Sequence, residues 1–118
     1  MHWLVDGMNV IGSRPDGWWR DRDGAVQRLV GELASLVERS GDAVAVVFDG
    51  RPVKLEDPGR VDVRFATRSG RDAADDDIAA LAQAGLTVVT SDAGLAERVR
   101  AAGADVVGAG TFRARHLG

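Results

Sequence analysis

The residues best suited to do chemistry are aspartates that stop apolar runs. Trp3-Leu4-Val5 runs into Asp6-Gly7, Ala43 to Phe48 into Asp49-Gly50, and Leu86 to Thr90 into Ser91-Asp92. A further acidic group, Asp72, Asp75, Asp76 and Asp77, opens a helix-like segment. Taken singly, each has an ordinary explanation: Asp-Gly is a common turn dipeptide, and Asp72 and Asp92 suit helix N-caps. Taken together they would aim carboxylates from separate segments at one edge of a sheet. Crowded carboxylates raise one another's pKa by about a unit or more, and a bound cation removes that cost. A set of oxygen ligands without cysteine or a well-placed histidine suits Mg2+ or Mn2+ rather than zinc. Such an ion activates water and neutralises charge on a phosphodiester in transfer. No serine or histidine arrangement offers a rival nucleophile, and His2 and His116 read as surface residues.

Asn9, three positions after Asp6, is open to two readings. It can orient Asp6, hold a metal-bound water or contact a scissile phosphate, or it can order the loop through a side-chain-to-backbone bond.

The elements that must position these groups alternate between strand and helix. After the first apolar run, residues 12–24 form a polar loop with Pro15, Gly17, Trp18, Trp19 and Arg14, Arg20 and Arg22. Val26, Leu29, Val30, Leu33, Leu36 and Val37 then recur at helical spacing from Ala25 to about Arg39, with Gly41 just past the end. Val61, Val63 and Phe65 alternate with polar residues, as in a strand near a sheet edge. The segment from Ala73 to about Ala84 reads as a helix closed by Gly85, and Ala93 to Ala102 as another closed by Gly103. Asp105-Val106-Val107 is a brief last strand, and the tail from Thr111 carries no expected element. This alternation implies an α/β fold with a mainly parallel central sheet and helices on both faces. In such sheets ligands bind beyond the carboxyl ends of the strands, where the strand order reverses.

Length and composition fit one domain over residues 1–118. Hydrophobic residues make up 45% and charged residues 28%, and there is no cysteine, which removes disulfides and thiol catalysis. No apolar run approaches the ~20 residues of a membrane span. With no signal peptide to be read at the N-terminus, a cytoplasmic protein without a membrane partner is the expectation. The net charge of -3 hides its distribution, because Lys54 is the only lysine and the remaining basic residues are arginine. An acidic pocket within an arginine-bearing surface suits a metal-dependent nuclease.

Asp6-Gly7-Met8-Asn9-Val10-Ile11, Val47-Phe48-Asp49, Asp72-Ala73-Ala74-Asp75-Asp76-Asp77-Ile78 and Val89-Thr90-Ser91-Asp92 together resemble the NYN domain, in its YacP-like subgroup within the PIN-like nucleases. The resemblance covers most of the chain in the expected order. It implies a PIN-like (Rossmannoid) three-layer sandwich and a divalent-metal endoribonuclease acting on single-stranded RNA. It points to Asp6, Asp75 and Asp92 as an acidic core, with Asp76 a further metal-site candidate. Asn9, Asp72 and Ser91 fall at supporting motif positions, and Asp49 stands beside them. Met8 departs from the family, which often has an aromatic residue there, and YacP-like proteins commonly continue past the last strand seen here.

Arg14 and Arg20 after the first motif, and Arg68 and Arg71 before the acidic helix, are the candidate phosphate contacts, with Ser91 as a further RNA contact. Trp18 and Trp19 either pack the loop down or stack on bases, with packing favoured. A homodimer through the half-polar edge strand and a ribosome or other RNA-presenting partner are both compatible with this chain. Two other functions stay open: an RNA-binding module without nuclease activity, and a small-molecule phosphohydrolase. Against the latter, Met8 stands where an aspartyl-phosphate phosphatase would place a second aspartate.

Overall fold

The computed structural model describes residues 1–66 and 73–117. Five parallel strands form the central sheet in the order β3-β2-β1-β4-β5. They are β1 (His2–Asp6), β2 (Ala43–Phe48), β3 (Asp62–Phe65), β4 (Thr87–Val89) and β5 (Asp105–Val107). The helices are α1 (Gly7–Gly12), α2 (Arg22–Ser40), α3 (Ala73–Leu81), α4 (Ala93–Ala101) and α5 (Ala109–His116), with a short 3-10 turn at Trp18–Arg20.

The pleat of the strands sorts the core into two layers. Trp3, Val5, Val44, Val46, Phe48 and Val89 point to one face and pack with α1, α2 and α5. Leu4, Val47 and Val88 point to the other and pack with Ile78 of α3 and Leu95 and Val99 of α4. Successive side chains of a strand face opposite ways, so apolar runs buried on both faces are what an all-parallel sheet requires. From edge strand β3, the chain crosses back through α3 to β4 on the far side of β1. The strand order therefore reverses between β1 and β4, and Asp6 lies at that junction.

Three local expectations needed revision. Residues 12–24 are not a structureless loop. Its start completes α1, its middle holds the 3-10 turn, and α2 begins at Arg22, where Asp21 accepts the Gly24 N–H at 3.0 Å. Helix α1 opens directly after Asp6 because Gly7 lies flat against the Phe48 ring, where a Cβ would collide. The tail, too, is structured: α5 buries Ala109 and Phe112, with Phe112 edge-on to Trp3 at 4.9 Å between ring centroids. His116 also packs there, 4.9 Å from the Trp3 ring and 5.3 Å from Phe112, so it is half-buried rather than a free surface residue. Among the described residues, no helix is long and apolar enough to cross a membrane.

Candidate active site

The site forms where β1, β2 and β4 end together. Register pairs Val5 with Val89 and Asp6 with Val47, so Thr90 lies beside Asp6, and Asp49 follows two residues after its neighbour. Asp6 shares the parity of Leu4, Asp49 that of Val47 and Thr90 that of Val88. All three therefore extend the face that α3 covers. The pleat itself delivers these side chains to one place.

Asp6 is 5% exposed. The Thr90 hydroxyl donates to its Oδ2 at 2.9 Å. Burial pushes the Asp6 carboxyl up from 3.8 to about 6; the Thr90 hydroxyl and the Asn9 backbone amide oppose the rise, while the negative charges of Asp75 and Asp49 add to it. A desolvated acid facing other acids is the arrangement in which the charged form is most costly. Asp75 reaches this neighbourhood from the first turn of α3. That turn is tied down by Asp49, whose Oδ1 accepts the Ala74 N–H at 2.9 Å. Asp49 is held in turn from the other side, since the Arg22 guanidinium donates to its backbone carbonyl and to that of Arg51.

The loop after β4 carries a second set of bonds. Asn9 Oδ1 accepts the Ser91 N–H at 2.7 Å, and Ser91 Oγ accepts the Ala109 N–H at 2.9 Å. Asn9 and Ser91 thus lace α1, the β4 loop and the start of α5 together, so the loop-ordering role open to Asn9 is realised. Asp92 Oδ1 caps α4 by accepting the Leu95 N–H at 2.9 Å, and the Asp92 N–H donates to Thr90 Oγ1 at 3.1 Å. Thr90 is therefore the link between Asp6 and the Asp92 segment. It was missed in the sequence because it reads as the last residue of an apolar strand.

The expected acidic trio is not assembled as such. Asp6 and Asp75 come together with Asp49, whereas one oxygen of Asp92 is engaged at the α4 N-terminus. Among the described residues, no group of three acidic or histidine side chains is arranged to hold a metal ion. The donors nevertheless fit a hard cation by chemistry. They are oxygen ligands, they repel one another, and the most buried of them gains most from a positive neighbour. Asp75 and Asp49 both act electrostatically on Asp6, and one oxygen of Asp92 is engaged in the loop after β4.

The other expected residues divide. Asp76 pairs with Arg98 at 3.0 Å and joins α3 to α4. Arg14 pairs with Glu32 at 2.5 Å, which takes its charge into the α2 side of the fold. Arg20 is exposed beside Trp19. Asp72, Arg68 and Arg71 lie outside the described residues.

Comparison with known proteins agrees with this architecture. None of the curated proteins matches the chain. Among solved structures, a tryptophan-to-leucine mutant of Rae1 (YacP) from Bacillus subtilis is similar with a TM-score of 0.79 and 29% identity, over 94% of this chain and 71% of that one. A second crystal structure of Rae1 (YacP) from Bacillus subtilis is similar with a TM-score of 0.72 and 27% identity, over 95% of this chain and 71% of that one. The model of the YacP-like NYN domain matches residues 3–116. A match over nearly the whole length, on an all-parallel sheet flanked by helices, means that the chain belongs to the YacP-like NYN domain family and has its PIN-like α/β fold.

Proposed function

We propose that this protein is a divalent-metal-dependent endoribonuclease that hydrolyses phosphodiester bonds of single-stranded RNA at the β1–β4 junction. Family membership suggests a PIN-like ribonuclease. One observation carries the assignment to this site: Asp6 is buried at a reversal of strand order with its carboxyl raised to about 6 and Asp75 and Asp49 beside it. Turns and caps alone give no reason to bury that repulsion.

Asp6 and Asp75 hold the cation, and the free oxygen of Asp92 is the remaining carboxylate candidate. When bound, Mg2+ or Mn2+ supplies Lewis-acid activation of water and charge neutralisation at the scissile phosphate. The chain's own residues do the positioning. Thr90 fixes one Asp6 oxygen, and the Asn9 backbone amide also favours its ionised form. Asp49 anchors the first turn of α3 and thereby sets where Asp75 stands. Asn9 and Ser91 keep the β4 loop closed on α1 and α5, giving the substrate a rigid wall. Above pH about 6 Asp6 is ionised even without a cation, so the ligand form is available at neutral pH.

The test is cleavage of a labelled single-stranded RNA in Mg2+, in Mn2+ and in chelator, by the parent chain and by Asp6→Asn. Cleavage that needs the metal and drops at least a hundredfold in the variant is the expected result. Undiminished cleavage by Asp6→Asn refutes the assignment, and RNA retained but uncleaved in every metal makes the protein a binding module instead.

A further inference from the structure

Trp18 and Trp19 are neighbours in sequence and go opposite ways. Trp18 packs against the core layer beneath α2. Trp19 is 63% exposed. Their rings meet edge to face with centroids 6.1 Å apart, and the Arg20 guanidinium lies 6.0 Å from the centre of the Trp19 ring. The turn that carries them is firmly held. Gly17 enters it at φ 71°, the Arg20 N–H donates to the Gly17 carbonyl at 3.0 Å, and the Asp21 N–H donates to the Trp18 carbonyl at 3.1 Å. Arg22 follows at once, and its guanidinium grips the Asp49 and Arg51 carbonyls at the acidic rim. Trp19 therefore stands no more than ~11 Å of chain from Arg22, the residue that holds the Asp49 carbonyl.

A single exposed apolar side chain is ordinary on a protein surface. This one is buttressed by a second indole, flanked by a guanidinium and three residues from Arg22, which grips the Asp49 carbonyl. Among the described residues, the other exposed large apolar side chain is Met1, at the opposite end of β1. A protein interface calls for a broader apolar centre than one indole provides. An unpaired base needs only a flat π-face with a cation near it.

We propose that Trp19, with Arg20 alongside, is a stacking platform for an unpaired base of the RNA whose phosphodiester lies at Asp6, an inference that rests on the ribonuclease reading. The bases of a duplex already stack on one another and offer no face to the indole, so the platform selects single strands. Because the turn is held before RNA arrives, stacking carries little ordering cost.

Binding is measured in chelator, where no cleavage intervenes, with a labelled single-stranded oligoribonucleotide, an abasic strand of equal length and a duplex. Trp19→Ala is expected to weaken single-strand binding about tenfold and Trp19→Phe by no more than about threefold. The abasic strand should bind the parent about as weakly as the normal strand binds Trp19→Ala. An unchanged melting temperature of Trp19→Ala confirms that the loss is not one of folding. Parental affinity in Trp19→Ala, or equal affinity for abasic and normal strands, overturns the platform. Cleavage assays on the same proteins separate the two ideas. If the parent cleaves RNA while Trp19→Ala binds normally, the platform falls and the ribonuclease stands. If binding depends on Trp19 but no divalent metal supports cleavage, the ribonuclease reading falls and the platform remains.

Discussion

Asp6→Asn should make the metal-free protein more stable at pH 8 while abolishing its activity. The sign follows from linkage. Below 3.8 the Asp6 carboxyl is protonated in folded and unfolded chains alike. Between 3.8 and about 6 the unfolded chain has released that proton while the folded one still holds it. Stability from this group is thus fully present below 3.8 and is lost as pH rises through about 6. The span from 3.8 to about 6 corresponds to ~3 kcal/mol, an upper figure for a side chain that can relax. Asparagine keeps an oxygen to accept the Thr90 hydroxyl and carries no charge, so its contribution should not vary with pH. Urea denaturation of parent and variant in chelator, from pH 4 to pH 8, isolates Asp6 and its coupling to Asp49 and Asp75, because carboxylates remote from it cancel in the difference. The parent should lose up to ~3 kcal/mol relative to the variant across that range. Millimolar Mg2+ or Mn2+ at pH 8 should then stabilise the parent and leave the variant unmoved. A difference between the two proteins that stays flat with pH would show that Asp6 carries no buried charge penalty, and the reasoning would fail.

Two other substitutions test the neighbours of Asp6. Thr90→Val removes the hydroxyl that favours the ionised carboxylate, so the pH at which the metal-free protein loses the Asp6 contribution to stability should move upward from about 6, whereas Thr90→Ser should restore it; an unmoved profile in Thr90→Val refutes the link. Asp92→Ser keeps a side-chain acceptor for the α4 cap and removes the charge. Stability within about 0.5 kcal/mol of the parent together with a cleavage loss of tenfold or more would mark Asp92 as a ligand, which is the expected outcome, while parental cleavage would leave it only a cap.

Strand-end aspartates were legible as a set, because three apolar runs that each stop at an aspartate mark the carboxyl edge of one parallel sheet. Helix α2 was legible from its periodic apolar positions and Gly41 beyond them, and α4 from the segment after Asp92 that Gly103 closes. Helix α1 was not, because six residues beginning at Gly7 are too short to show a period. Helix α5 was hidden for a related reason: it buries only Ala109 and Phe112, and its stability comes from packing on Trp3 rather than from a stripe of its own. The carboxylates were expected at one edge, and which of them face each other depends on side-chain bonds that no pattern reveals. Asp92 spends an oxygen on Leu95, and Asp49 spends one on Ala74. The unlike fates of Trp18 and Trp19 likewise depend on the bend at Gly17.

The bond from Thr90 to Asp6 joins residues separated by 84 positions. Strands β1 and β2 can pair early, but the companion of Asp6 arrives only after α3 has carried the chain back across the sheet. Parallel pairings of such long range form slowly. A chain still being synthesised, or one paused before β4 docks, therefore holds its key carboxylate without the hydroxyl that steadies it. Under the proposed function, competence to cut would be acquired only as the last strands close.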